Sequence, residues 1–301
     1  MPIQQKKAYA LGMTAVCFWS TAASAFKLTL RHMHPESMVF YASLTSVLVL
    51  GLLLGIQGTW SSLRTLTWRT IRLSLLLGML NPALYYLVLL KAYALLRAQD
   101  AQVINYTWAI AMTVLAVPLL GQRIRPMHML AIGLSYFGTL IICTRGNVLD
   151  MQIDSPLGFT LALASTIIWA IFWILGMRDS LDPLVRLFLN FCFGTVGAFF
   201  WLILSSGLTW PSWPGLAGCV YIGTFEMGLT FVLWIQALKL SRTAAQISTL
   251  IYLAPFLSLI FIHYVLGEVI SPSTLFGLVC ILVGMAAQNL TDHAQAQPSR
   301  S

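Results

Sequence analysis

GMLNPALYYLVLLKA, residues 78–92, and GTFEMGLTFVLWIQA, residues 223–237, decide how this chain folds. Each is an apolar run opened by a glycine, with a polar residue three positions on: Asn81 in one, Glu226 in the other. The pairs Lys91-Ala92 and Gln236-Ala237 then follow at matching distances, and the two runs lie 145 residues apart. The register persists downstream. Ala101-Gln102-Val103 answers to Ala245-Gln246-Ile247 at 144, and Tyr106 to Tyr252 at 146. Gly121-Gln122-Arg123-Ile124-Arg125-Pro126 answers to Gly267-Glu268-Val269-Ile270-Ser271-Pro272, again at 146. Upstream, Trp19 and Trp169 hold mid-run positions, followed by Pro35 and Pro183 at 16 and 14 residues. An offset constant to within two residues across three apolar runs reads as an internal duplication.

Composition says what is duplicated. The chain has 301 residues, 58% of them apolar and 9% charged, against roughly 25% charged in soluble domains; its mean hydropathy is +0.83. A helix needs ~20 apolar residues to cross a bilayer. Apolar runs and their polar breaks predict helices near 8–30, 36–56, 70–93, 98–118, 126–144, 157–176, 184–206, 214–238, 243–264 and 272–290. The loops between them are too short for a soluble domain. The fold class is therefore all-α integral membrane. Five helices per repeat is an odd number, so the halves insert in opposite orientations. The expectation is ten transmembrane helices in a 5+5 inverted repeat around a central cavity, an arrangement suited to alternating access. The first repeat spans 1–145 and the second 156–290, with 291–301 a disordered tail.

Alternate loops sort the charges. One set, which includes both chain ends, holds twelve basic residues: Lys6, Lys7, Arg64, Arg69, Arg72, Arg123, Arg125, Arg178, Arg186, Lys239, Arg242 and Arg300. Three acids (Asp179, Asp182, Asp292) leave it at +9. The other set balances Lys27, Arg31, Lys91, Arg97 and Arg145 against Glu36, Asp100, Asp150, Asp154 and Glu268. Positive loops stay cytoplasmic, which places both termini inside a bacterial cytoplasmic membrane. The net +8 is thus topology, and no nucleic-acid partner is implied. Lys6-Lys7 before an apolar run ending Ala22-Ala23-Ser24-Ala25 also looks like a secretory signal. Its removal would leave nine spans and an unpaired repeat, so the run reads as the first helix.

Other features are structural. Cys17, Cys143, Cys192, Cys219 and Cys280 all fall within spans, without a C-x-x-C pair, and read as small buried residues. His32-x-His34 has no further ligands beside it, so no metal is called, and no cofactor is implied. Gly51 and Gly55 form a GxxxG, which is too common in such helices to specify an oligomeric state. No G-x-x-x-x-G-K-[ST] supports an ATP-driven pump, and no H-E-x-x-H or G-x-S-x-G supports an intramembrane enzyme. Transport of a small molecule remains, with a channel or scramblase as the rival class.

The repeats resemble the EamA-type, ten-helix members of the drug/metabolite transporter superfamily, from about Tyr9 to Leu290. The resemblance is carried by Trp19 with Lys27 eight residues later, by Ala245 to Pro255, and by the Leu266-Gly267-Glu268 turn. Ile104-Asn105-Tyr106-Thr107-Trp108 is similar to the Asn-Tyr-x-Trp-Pro stretch of bacterial aromatic amino acid exporters, with Ala109 in place of the proline. The resemblance implies a basket of ten helices with helices 1, 3, 4, 6, 8 and 9 around the cavity. It makes amino acids, aromatic ones foremost, the leading substrate class. Glu226 departs from that exporter pattern.

Candidate site residues follow. A carboxylate at bilayer depth costs ~2.5–3.5 kcal/mol on insertion scales, so Glu226 is either a proton-coupling group, a counter-charge for a substrate amine, or a hydrogen-bonded tie between helices. Its repeat-mate Asn81 precedes Pro82, which deprives the Gly78 carbonyl of its helical partner. That carbonyl must face protein or a wet cavity, and Asn81 binds ligand there or satisfies the kink. Trp19, Tyr85, Tyr86, Asn105, Tyr106, Trp108, Trp169 and Tyr252 complete the cavity set: aromatic rings stack on aromatic or cationic ligands and offer a polar tip, though rings also fill helix interfaces. Tyr106 and Trp108 stand about 200° apart on a regular helix, so one is expected to pack while the other meets substrate. Lys27 either snorkels to the interface or meets an anion at the cavity mouth. Gln102 and Gln246 are candidate caps for helices 4 and 9. The partners are a small-molecule substrate, the lipid bilayer and protons as a coupling ion. Cationic drugs, exported against protons, are the competing substrates. A sugar nucleotide would want several Lys or Arg at cavity depth, and the spans hold almost none.

Overall fold

The protein was analysed as a computed structural model, which describes residues 3–121, 126–149, 153, 155–177, 181–242 and 244–296. Ten helical spans run through the described residues. They are α1 Gln5–Leu30, α2 Pro35–Ile56, α5 Pro126–Cys143, α6 Pro156–Gly176, α7 Pro183–Ser205 and α10 Pro272–Ala296, with α3 Trp68–Leu95, α4 Ala98–Leu120, α8 Trp213–Leu240 and α9 Gln246–Leu266. They match the apolar runs to within a few residues. α10 continues to Ala296, into the stretch expected to be disordered; 297–301 lie outside the described residues.

Local chemistry sets the ends. Pro35, Pro156 and Pro183 open α2, α6 and α7, where a missing N–H is harmless. Ser155, Asp182 and Ser212 accept backbone N–H bonds as caps of α6, α7 and α8. α4 and α9 both stop at a left-handed glycine, Gly121 (φ 69°) and Gly267 (φ 71°).

The duplication shows most clearly in the irregularities. α3 is interrupted by a π turn at Met79–Leu84, and α8 by one at Ile222–Leu229. α4 breaks between Asn105 and Trp108, and α9 carries a 3-10 stretch at Thr249–Leu253. The halves also exchange partners. α1 packs on α8 and α9, while α6 packs on α3 and α4. α2 lies along α7 and α5 along α10. α2 also lies against the π turn of α8, as α7 does against that of α3. This reciprocity is a two-fold relation between the halves.

Repeat-equivalent glycines make the close approaches possible. A Cβ on Gly78 would strike the Asn190 carbonyl of α7, and one on Gly223 the Ala42 carbonyl of α2. Gly194 reciprocates: its Cβ would meet the Pro82 ring and lie 2.6 Å from the Gly78 oxygen. The Gly78 oxygen therefore faces α7 and not lipid. The outer faces are apolar, as a bilayer requires, with Leu48, Leu52 and Leu204 exposed. Trp210 and Trp213 stand out at the span edges, where tryptophan anchors helices.

Candidate functional site

A cavity of about 330 Å³ occupies the middle of the bundle. It lies near the lower end of the size range for small-molecule sites. Its wall is drawn from α1, α3, α4, α6, α8 and α9, the six helices that the resemblance implied. It runs from Tyr93 and Gln102 near one end to Met177 and Ser248 at the other, where both are exposed. That exposed end is the face of the bundle bearing the basic loops.

Aromatic rings supply most of the wall. Trp19 stands 5.3 Å from Trp234 and 5.6 Å from Phe231, edge-on to the latter. Trp169 lies 4.4 Å from Tyr85 at a tilt of 33° and 6.2 Å from Phe231, so Phe231 bridges the two groups. Tyr85 donates to the Asn105 Oδ1 at 3.3 Å, and the Asn105 amide donates to Ser165 at 3.1 Å. These bonds tie α3, α4 and α6 together across the wall.

Glu226 is the only charged residue on this wall among the described residues. The π turn of α8 brings it there. Its Oε1 accepts from the Tyr86 hydroxyl at 3.3 Å, while its buried Oε2 has no hydrogen-bond partner. Trp173, also on the wall, leaves its buried Nε1 donor unpaired. An unpaired acceptor with a formal charge and an unpaired donor thus lie buried on two residues of the cavity wall.

Of the predicted site residues, Trp19, Tyr85, Asn105, Tyr106, Trp108, Trp169 and Glu226 line the cavity. Tyr106 and Trp108 both do so, contrary to the expectation that only one would. The helix breaks between them, which removes the 200° separation. Asn81, Tyr86 and Tyr252 lie off the wall. Asn81 sits with an extended backbone (φ −147°, ψ 117°) inside a π turn packed on α7, fully buried, and both of its amide atoms lack partners. Tyr86 stands behind Glu226. Tyr252 falls between the faces of a 3-10 turn, whose residues three apart eclipse; Ser248 and Ile251, spaced by three, take the cavity side. Sequence reasoning missed Phe26, Leu89, Tyr93, Met112, Trp173, Met177, Phe231 and Trp234 on the same wall. Trp173 had a signal: it lies one helical turn from Trp169.

The far end is sealed. Glu268, from the α9–α10 turn, accepts from the Ala98 N–H at 2.9 Å and from the Gln99 N–H and side-chain amide at 3.3 and 3.2 Å. It thus caps the first N–H groups of α4 from across the fold, where the helix dipole favours a negative charge. Gln102, expected in that role, instead accepts from Tyr93 one and a half turns further along. Gln99 also bonds Val269 and Ser271, and Asp100 holds Arg97 and Thr274. The cavity is therefore closed at the Glu268 end and open at the basic end.

The sequence matches the EamA-like transporter family over residues 6–144 and again over 156–289. It is 24% identical over 289 residues to a protein named aromatic amino acid exporter YddG from Ancylobacter novellus, covering 95% of this chain and 97% of that one. It is 22% identical over 290 residues to an uncharacterized transporter from Clostridium kluyveri, covering 93% of this chain and 92% of the other. A solved crystal structure shares the fold with a TM-score of 0.66 and 22% identity, over 98% of this chain and 100% of its own. With ten spans in two exchanged halves and both halves matched, the chain is a multi-pass membrane protein of the EamA-like transporter family.

Proposed function

We infer that the protein is a secondary transporter exporting small amine-bearing metabolites, aromatic amino acids foremost, across a bacterial cytoplasmic membrane by alternating access. One observation carries this: a cavity walled by aromatic rings, with one carboxylate and no basic side chain among the described residues. A substrate ammonium meets Glu226, and its ring stacks between the Trp169–Tyr85 and Trp19–Phe231 groups, an arrangement that aromatic faces favour for cations and rings alike. The printed name of the Ancylobacter novellus relative supports the aromatic amino acid. In this reading residues 1–145 and 156–290 are the two repeats, both termini are cytoplasmic, and the described state faces inward.

A second reading is favoured by the same lone carboxylate: export of cationic amphiphiles against protons, with Glu226 shared between proton and cation. Flux from proteoliposomes separates the two. Loaded with phenylalanine, tryptophan, a cationic dye or a nucleotide sugar, they are followed with and without a proton gradient. The expected result is saturable efflux of the aromatic amino acids and none of the nucleotide sugar, since no Lys or Arg among the described residues of the wall waits for its phosphates. Efflux of the dye alone would replace the first reading by the second. Non-saturable leakage of all solutes would remove both.

A further inference from the structure

Beyond Tyr93, at the sealed end, lies a second cavity of about 370 Å³, lined by Lys27, Leu30, Arg31, Tyr93, Leu266 and Glu268. Tyr93 is the partition, since it also forms part of the central wall. Its hydroxyl donates to Gln102, its ring stands edge-on to Phe26 at 5.3 Å, and its carbonyl accepts from the Lys27 ammonium at 2.6 Å.

The chemistry of the two chambers is opposite. Among the described residues, the central one offers a carboxylate and no cation. This outer one offers two cations, and its single carboxylate is already occupied: Glu268 spends both oxygens on the backbone and side chain of α4. Asp100, the other acid whose field reaches Lys27, is held by Arg97 and Thr274. Lys27 therefore has no carboxylate partner among the described residues, and an ammonium with three N–H groups makes one bond, to the Tyr93 carbonyl. Arg31 stands at the exposed rim, with no carboxylate paired to it among the described residues.

We propose that this outer chamber is an exit site for the substrate's carboxylate, with Lys27 its principal ligand and Arg31 at the rim. The proposal rests on the transport reading above and narrows its substrate class to α-amino acids, as opposed to amines at large. The central chamber reads the ammonium and the ring. The outer one reads the carboxylate once the Tyr93 ring has moved aside, and Lys27 then exchanges the Tyr93 carbonyl for it.

Matched pairs test it. Efflux of phenylalanine and phenethylamine, and of tryptophan and tryptamine, is compared in proteoliposomes for the wild type, Lys27→Gln, Lys27→Arg and Arg31→Gln. Lys27→Gln should lower amino acid efflux about tenfold, the scale of one charge-assisted hydrogen bond, while the decarboxylated amines stay within about twofold. Lys27→Arg should restore most of the loss, and the exposed Arg31→Gln, which serves even if Lys27→Gln misfolds, should cost the amino acids about threefold. Equal losses for acid and amine would reduce Lys27 to a brace for Tyr93 and overturn the proposal. Unchanged amino acid efflux in both Lys27→Gln and Arg31→Gln would do the same. A wild type that carries the amines but not the amino acids sinks the exit site and leaves the central amine site standing. A wild type that carries neither sinks the transport reading itself.

Discussion

Glu226→Gln cuts efflux of amine-bearing substrates by about 100-fold or more, and the protein still folds. Removing one partner of a buried charge pair costs about 3–5 kcal/mol, and each 1.4 kcal/mol is tenfold. Glutamine preserves the shape and still accepts from the Tyr86 hydroxyl, so the tie between α3 and α8 survives. What is lost is the charge on Oε2, the oxygen that no protein group satisfies. Initial rates from proteoliposomes, normalised to protein that elutes as a single species, measure the effect. Tyr86→Phe is the companion: it leaves the carboxylate and removes its one donor, and a loss of severalfold is expected. If Glu226→Gln transports at the wild-type rate, the carboxylate is a helix tie and the cavity selects by ring stacking alone.

Gly194→Val yields no monodisperse protein, and Gly194→Ala lowers the melting midpoint in detergent by about 2–5 °C. Even one added carbon there overlaps the Pro82 ring and lies 2.6 Å from the Gly78 carbonyl oxygen. Both obstacles are backbone or ring, which cannot rotate away, and overpacking of this kind costs about 1–3 kcal/mol for a methyl group. Gly133→Ala is the control, because nothing lies within 4 Å of its Cβ position. Helix propensity makes that change neutral or stabilising by up to about 1 kcal/mol. Equal behaviour of the two alanine variants in a thermal-shift assay would mean that the α3–α7 contact is looser than its geometry.

The ten spans and the duplication were legible because both are one-dimensional: run length, loop charge and a constant offset. Glu226 was legible for the same reason, as a lone acid in an apolar run. The direction in which each side chain points was not. In a soluble helix the polar face marks the outside, but lipid is as apolar as a packed neighbour. α4 and α8 therefore carry no stripe that says which residues look inward. The offset of 145 made Asn81 the twin of Glu226, yet Asn81 points away from the cavity because the π turns of α3 and α8 differ in detail: one holds a proline and an extended residue, the other neither. Tyr106 and Trp108 were separated on paper by a helix that is in fact broken between them. Glu268 was visible as a loop charge and in the Leu266-Gly267-Glu268 turn. Its partner, the start of α4, lies 170 residues away, and no local pattern joins them.

The exchange of partners between the halves has a consequence for how the protein is made. α1 leaves the ribosome well before the helices it mainly packs against, which begin at Trp213. At about 5–20 residues per second, α1 waits roughly 10–40 s in the bilayer before α8 arrives, and the bent α3 roughly 5–20 s before α7 does. Until α7 follows, the Asn81 bend has nothing to shelter it, and the newborn first half has every reason to linger beside the insertion machinery or a membrane chaperone.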